Sequence, residues 1–474
     1  MSQIEFVVLS DLHLGAENSL LTNLKIGGYQ TDTLHPSPVM IKLVECLREV
    51  LKQNNSSSKP KLVLNGDLME LALTSMNDAS MAFQRFIELT MPEDESMMMF
   101  DKEIIFLAGN HDHNIWESSR YSHFIKLLGG MKPGEKIEQL VHVTKMFEVP
   151  PMTSELLTSL VQMYPHMKER GVNIKTAYPA FAHLHNQKDK CVIFSHGHFI
   201  ESMYSIMTSL DEMLFPDRPR PTSLNDIETQ NFAWIDFFWS TMGRSGIVGR
   251  DIQLLYDKMQ DNTQVERIID TFAKSIAMKK KNCIIRWLEY KVLKEVMQLT
   301  IVKQASKEKD QEGILTSDCL SGLKRYMEVY IRNQLEFELN SNIPSDITFL
   351  FGHTHKPFLQ FMDFIGFNGK VKVINSGGWV VDTTDTMPFH GGSILLVDEN
   401  LDTVSLNMYK EGKYKPGFEV STSDNDWDKN ELYKCLEENL DFNKEPWSGF
   451  ERMVEIEVNL RHEYLKEIIK SDSI

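Results

Sequence analysis

At 474 residues with 42% hydrophobic side chains, the chain is long enough to bury a large core and to form two or more folding units. Its 67 acidic against 50 basic side chains leave a formal charge of -17, which disfavours function by non-specific adhesion to a phosphate backbone, so duplex nucleic acid is not the first expected substrate. The five cysteines, Cys46, Cys191, Cys283, Cys319 and Cys435, are widely spaced, odd in number and never in a C-x-x-C pair, which excludes a disulfide frame or a zinc ribbon and points to reduced thiols in a cytoplasmic protein.

The N-terminus runs almost directly into an apolar run, Ile4 to Leu9, with no basic segment followed by a long apolar one, so no export signal is expected. This run reads as a buried strand that ends in Ser10-Asp11-Leu12-His13-Leu14-Gly15. Asp11 and His13 are two apart, so their side chains share a face while the backbone stays extended, which suits two ligands on one ion. The spacing of Ile41, Val44, Leu47 and Leu51 predicts a helix near Val39 to Leu51, and Ser56-Ser57-Ser58-Lys59-Pro60 reads as a surface loop. A second strand, Leu62-Val63-Leu64, ends in Asn65-Gly66-Asp67-Leu68-Met69-Glu70. Gly66 lets the backbone approach an ion or take an unusual φ, and Asp67 is delivered at the strand tip. After a helical stretch over residues 72–90, a third apolar run, Ile104 to Ala108, stops at Gly109-Asn110-His111-Asp112. That loop sets an amide oxygen, an imidazole and a carboxylate side by side.

Residues 114–190 are mixed in pattern and lead to Cys191-Val192-Ile193-Phe194-Ser195-His196-Gly197-His198, again an apolar run ended by histidine. From about Phe199 to Pro344 the strand rhythm stops. Apolar spacing at Ile252, Leu255, Tyr256 and Met259, and at Val265, Ile268, Ile269, Phe272 and Ile276, predicts a mainly helical insertion. Strands resume at Ile347 to Phe351, ended by Gly352-His353-Thr354-His355, and are expected again at residues 371–374 and 393–397. The alternation predicts an α/β core over residues 1–198 and 345–410, interrupted by the insertion at 199–344 and followed by an acidic, helix-prone extension at 411–474. In such folds ligands gather beyond the carboxyl ends of strands.

The strand-end side chains Asp11, His13, Asp67, Asn110, His196, His353 and His355 combine carboxylate, amide and imidazole without thiolate. That set suits divalent first-row ions such as Mn, Fe, Co, Ni or Zn. Seven ligands are too many for one tetrahedral ion and suit two ions that share a carboxylate. His113 and His198 fit no ligand position and read as hydrogen-bonded core or surface groups.

Asp11-Leu12-His13, Gly66-Asp67, Gly109-Asn110-His111-Asp112, His196 and Gly352-His353-Thr354-His355 together resemble the five ordered motifs of the calcineurin-like metallophosphoesterases, over residues 4 to about 378 without the insertion. The resemblance implies a four-layer sandwich, two mixed sheets flanked by helices. It implies that Asp11, His13 and His355 hold one metal and Asn110, His196 and His353 the other, with Asp67 bridging and manganese the first expectation. Such a pair lowers the pKa of a shared water for attack on phosphorus. His111 would then aid the departing oxygen, with Asp112 orienting its ring.

The expected substrate is a phosphate ester or anhydride, with a phosphodiesterase or pyrophosphohydrolase ahead of a monoesterase. A nuclease acting on DNA or RNA is the nearest rival in chemistry. A non-catalytic scaffold of the same fold is the rival in class, and it would be expected to lack ligands. Both ends of the insertion are tethered beside the proposed metals, which places it to form a cap. Its aromatic run from Asn231 to Trp239, with Gly243-Arg244-Ser245-Gly246 and Arg250 beyond, either holds an apolar or ring-bearing leaving group or forms the cap's own core. Asp236 and Arg244 argue against a membrane span there. Within the family, the sequences around Asp11, Asp67 and His353 are similar to the UDP-diacylglucosamine pyrophosphohydrolase branch. His111 stands where that branch typically has arginine, and this insertion is longer, so its substrate is not carried over.

Overall fold

The apolar runs form strands buried on both faces, because each sheet is covered on one side by helices and on the other by its partner sheet. The computed structural model describes residues 3–52, 54, 58–185, 187, 189–241, 314–411, 419–422 and 430–471. The first half runs β1 (Ile4–Leu9), α1 (Pro38–Lys52), β2 (Lys61–Asn65), α2 (Met76–Thr90), β3 (Glu103–Leu107), α3 (His113–Gly130), β4 (Met152–Thr153), α4 (Glu155–Val161), α5 (Pro165–Glu169), β5 (Asn173–Ala177), β6 (Ala180–His185) and β7 (Lys190–Ser195). The insertion follows with α6 (Ile206–Leu214), α7 (Leu224–Ile235), α8 (Ser317–Arg325) and α9 (Arg332–Glu338). The chain then continues through β8 (Asp346–Phe351), β9 (Phe358–Met362), β10 (Val371–Asn375), β11 (Gly391–Asp398), β12 (Thr403–Lys410), β13 (Glu419–Thr422), α10 (Glu431–Asn439) and α11 (Trp447–Ser471).

The strands build two mixed sheets, one ordered β13-β12-β11-β1-β2-β3-β5-β4 and the other β6-β7-β8-β10-β9. β1, β2, β3 and β5 are parallel neighbours in the first, and β7, β8 and β10 in the second. Side-chain alternation assigns each strand residue to a layer. Val63, Ile105 and Leu107 from the large sheet and Val192, Phe194, Leu350 and Ile374 from the small one meet in a core between the sheets. Their neighbours Leu62, Leu64, Ile104 and Phe106 face outward onto α1 and α2, and Cys191, Ile193, Phe349 and Val373 face the insertion. The expected pair of mixed sheets flanked by helices is what forms.

Several strands escaped the sequence reading. β6 and β9 are edges of the small sheet with partly exposed residues, and β5 lies in the mixed region. The predicted first helix forms, yet its buried stripe is Val39, Met40, Leu43, Val44, Leu47 and Val50, with Ile41 exposed. The described parts of the insertion are helical and include π-helical turns at Asp236–Thr241 and Tyr326–Ile331. The spacing at Ile252, Leu255, Tyr256, Met259, Val265, Ile268, Ile269, Phe272 and Ile276 lies outside the described residues, as do Ser56, Ser57, Gly243, Arg244, Ser245, Gly246, Arg250 and Cys283. No helix among the described residues is long and apolar enough to cross a membrane.

The acidic segment after residue 411 joins the large sheet's side of the molecule. β13 pairs with β12, and α11 places Trp447, Phe450 and Val454 in the same core as α1. Each such burial contributes roughly 1.5–3 kcal/mol. Arg461 of α11 is fully buried and donates to the carbonyls of Ser19, at 3.0 and 2.7 Å, and of Thr22, at 2.8 Å, while pairing with Glu457. It thereby fixes the loop that leaves His13. Arg461→Ala leaves the Thr22 carbonyl without this donor, leaves the Ser19 carbonyl only the Thr22 N–H and unpairs the partly buried Glu457, and is expected to cost about 3 kcal/mol. Urea unfolding of the two proteins measures this, and a loss under about 1 kcal/mol would show that the loop is held by other contacts.

Candidate metal centre

The parallel strands β1, β2 and β3 end on the same side of the large sheet, and β7 and β8 bring the small sheet's ends to meet them. The loops are locked to one another by backbone hydrogen bonds. Asp11 N–H donates to Gly66 O at 3.0 Å, His13 N–H to Asp67 O at 2.9 Å and Gly352 N–H to His196 O at 3.0 Å. Across the sheets, His353 N–H donates to Asp11 Oδ1 at 2.9 Å.

Asp11 and His13 do not converge by strand alternation, as the sequence reading expected. β1 has already ended, and both residues adopt left-handed backbone, with φ of 54° and 45°. Asp67, His353 and His355 do the same, at 48°, 69° and 54°. For residues with a Cβ this costs of order 1–3 kcal/mol each and survives only where surrounding contacts enforce it. Two glycines show how tight the packing is. Gly66, at φ 92°, lies where a Cβ would overlap the ring of His196, and a Cβ on Gly109 would overlap the carboxylate of Asp67.

All seven expected ligands meet. Asp11, His13 and His355 form one set of donors, and Asp67, His196 and His353 another, each with atoms within 4.8 Å of one another. Asp67 Oδ2 stands between the sets, 3.6 Å from His13 Nε2 and 3.2 Å from His196 Nε2. Asn110 Oδ1 lies 3.0 Å from His196 Nε2. His13, Asp67 and His111 form a further group, although the sequence reading kept His111 off the metal. Nε2 of both His13 and His353 is buried without a hydrogen-bond partner. Orphaned imidazole nitrogens are costly unless something binds them, and oxygen and nitrogen donors without thiolate fit a divalent first-row cation.

Residues behind the donors set their orientation. Glu70 bridges two rings, with Oε2 2.8 Å from His13 Nδ1 and Oε1 2.8 Å from His111 Nδ1. Asp382 Oδ2 lies 2.5 Å from His355 Nδ1. In each case Nδ1 is engaged and Nε2 is left to face the centre, the usual way a carboxylate orients a metal-binding histidine. Asn110 Nδ2 donates to the Tyr204 hydroxyl at 3.2 Å, which turns the amide oxygen inward. Glu70 was visible three positions after Asp67 without an assigned role. Asp382 and Tyr204 carry no local sequence signal.

Asp112 departs from expectation. It does not orient His111, since its carboxylate is committed to backbone donors, Leu68 N–H and Gly109 N–H at 2.7 Å and Met69 N–H at 3.3 Å. It ties the Asp67 loop to the Asn110 loop, and Glu70 takes the orienting contact.

His113 and His198 are buried in one polar network. His113 Nε2 lies 2.9 Å from Glu228 Oε1 and its Nδ1 3.4 Å from Asp236 Oδ1. Tyr178 donates to Glu228 Oε2 at 2.8 Å and sits 3.1 Å from His198 Nε2. Glu228 is delivered by α7, whose start is fixed by a capping box between Ser223 and Asp226. The aromatic run in the insertion mostly packs inward. Trp239 is buried against Tyr204, Phe232 packs on His113, and Phe237 is 61% exposed.

The electrostatics follow from packing acids and imidazoles out of water. Burial opposes the charged forms throughout, and opposite charges overcome it. His196 is raised to about 9 by Asp67 and Asp11, and His111 to about 9 by Glu70 and Asp67. His355 is raised by Asp382 and Asp11. Asp67 is held well below the carboxylate range by His196 and His111, and Glu70 is lowered to about 2 by His111 and His13. Asp112 goes the other way, to about 7, because burial and the Asp67 charge outweigh its backbone donors. Burial, with His196 and His353 nearby, holds His198 well below its ordinary value. In the metal-free protein at pH 7, His196 therefore carries a proton that a cation must displace. Mn2+ uptake is expected to release protons near neutrality, and its apparent affinity to rise as pH approaches about 9. Calorimetric titration in buffers of different ionisation enthalpy reads this directly, and proton-neutral uptake at pH 7 would contradict it.

A family model described as calcineurin-like phosphoesterase matches residues 4–240, half of the chain. No curated protein matches it. The match takes in Asp11, His13, Asp67, Asn110 and His196, while His353 and His355 lie beyond it and reach the same site through β8. With two mixed sheets, a shared carboxylate and imidazoles gathered at the strand ends, the chain belongs to the calcineurin-like metallophosphoesterases, metal-dependent hydrolases of phosphoesters.

Proposed function

We propose that the chain hydrolyses phosphate esters or anhydrides with two bound cations, and prefers diesters or anhydrides to monoesters. The observation that carries this reading is the Asp67 carboxylate, whose Oδ2 faces His13 Nε2 and His196 Nε2 between the two donor sets. Asp11, His13 and His355 would hold one ion and Asn110, His196 and His353 the other, with Asp67 shared. Manganese is favoured, and iron, zinc, nickel or cobalt suit the same donors. Bound there, two such ions supply an activated water and neutralise charge on a phosphoryl oxygen.

The chain's own residues align and protonate. Glu70 holds Nδ1 of His111, so Nε2 is the ring atom left to carry a proton to the departing oxygen. Glu70, Asp382 and Glu201 stand directly against the ligand histidines. This negative surround disfavours a dianionic monoester relative to a monoanionic diester. Residues 1–198 and 345–410 form the catalytic core in this reading, and 199–344 a cap. Tyr204 against Asn110 and Glu228 against His113 support that placement. Trp239 and Tyr204, buried beside His353, support the reading in which the aromatic run is the cap's own core. The free thiols of Cys46, Cys191, Cys319 and Cys435 support a cytoplasmic setting.

The test is a panel of aryl monoester, aryl diester, nucleotide pyrophosphate and single-stranded DNA, each assayed with manganese. Diester turnover is expected to fall at least a hundredfold in Asp67→Asn. A fully metal-loaded protein inactive on every substrate would favour the scaffold, and preferential DNA cleavage the nuclease. His111→Ala is expected to lower turnover of an alkyl diester by about a hundred- to ten-thousandfold, with a smaller loss on an aryl diester whose leaving group needs no proton. Equal losses on the two substrates would remove the acid role.

A further inference from the structure

The donor atoms of the metal centre keep a narrow spacing. His355 Nε2 lies 3.4 Å from Asp11 Oδ1, His13 Nε2 3.6 Å and His196 Nε2 3.2 Å from Asp67 Oδ2, and His196 Nε2 3.0 Å from Asn110 Oδ1. Donors held about 2.0–2.2 Å from one cation, as neighbours around it, are roughly 3 to 3.6 Å apart. Glu201 makes a further pair of this kind, with Oε2 3.4 Å from His353 Nε2. The His353 side chain is only 5% exposed, and that nitrogen has no hydrogen-bond partner. The carboxylate oxygen thus faces a buried donor atom that is already aimed into the centre.

Glu201 comes from the first residues of the insertion, between the short helical turns His198–Ile200 and Ser202–Ser205. Its backbone is fixed at both ends, with Glu201 N–H donating to His198 O at 3.1 Å and Tyr204 N–H to Glu201 O at 3.2 Å. Its second oxygen, Oε1, accepts from Cys319 Sγ of α8 at 3.8 Å. α8 packs closely on this turn, since a Cβ at Gly322 would overlap the carbonyl of Ile200. The carboxylate is therefore positioned from both sides of the insertion, with one oxygen turned to His353.

Resting on the two-cation reading above, we propose that Glu201 is an additional ligand of the second cation, beside Asn110, His196, His353 and the shared Asp67. The two sites are then unequal. The second draws one more ligand from the protein, five against four, holds its ion more tightly and leaves fewer positions for solvent or substrate. The first, served by Asp11, His13, His355 and Asp67, stays more open. The insertion in this arrangement is part of the metal centre and not only a cover for it.

The experiment is metal titration of metal-free full-length protein with Mn2+, alongside visible absorption of the protein loaded with Co2+. Wild type is expected to show two classes of ion. In Glu201→Gln the tighter class should weaken about tenfold or more, with the weaker class unchanged. The Co2+ bands at one equivalent should shift as a carboxylate is lost, a change that a purely structural role would not cause. An unchanged melting temperature of the metal-free variant excludes misfolding. If Glu201→Gln does not fold, the Co2+ spectrum of Glu201→Asp, whose carboxylate is drawn back by one methylene, takes its place. Wild-type affinity and an unchanged spectrum in the variant would overturn the proposal. The two-cation reading fails separately, if wild type takes up fewer than two ions or if Asp67→Asn leaves both classes intact.

Discussion

The carboxylate of Asp67 between two sets of imidazoles is the contact on which the rest of the site depends. One of its oxygens faces a histidine from the large sheet's first strand end and another from the small sheet. The other oxygen, Oδ1, accepts the His111 backbone N–H at 2.8 Å. A buried carboxylate is unfavourable alone, and here Asp11, Asp67 and Glu70 are buried close together, with the exposed Asp382 against His355 at the edge of the site. Their mutual repulsion demands positive charge. Raised histidines supply it as protons in the metal-free protein, and divalent ions would supply it more effectively.

That demand explains the strained backbone. Five of the candidate ligand residues adopt left-handed φ, and the loops that carry them are stitched together through backbone amides and closely packed glycines. The strain is held by rigid neighbours on every side. Below lie two sheets packed face to face, and Asp112 spends its carboxylate on loop amides. Arg461 reaches in from the far C-terminal helix to pin the loop after His13. Residues distant in sequence and without obvious chemistry are thus spent on holding an arrangement that local propensity would not choose.

The insertion enters the same account. Glu228 and Asp236 reach His113 at the start of α3, and Tyr204 turns the Asn110 amide. These contacts bury charged and polar groups at both the His113 and the Asn110 positions, where low dielectric makes each pairing matter. Movement of the insertion would therefore be felt at the Asn110 loop and at His198, beside the second donor set.

By itself, the sequence pointed to the α/β class, to the strands that end in donor-type residues and to seven candidate donors, because buried strands leave long apolar runs and metal ligands are limited to a few side-chain types. Gly66 was likewise legible as a close-approach position. Tertiary structure decided how those donors meet. Asp11 and His13 converge through left-handed backbone and not strand alternation, and Glu70, not Asp112, aligns His111. It also revealed Tyr204, Asp382, Glu228 and Arg461, and it showed β6 and β9 as partly exposed edges of the small sheet. These roles depend on contacts between residues tens to hundreds of positions apart, and no local period or motif encodes which carboxylate will reach which ring once two sheets have packed.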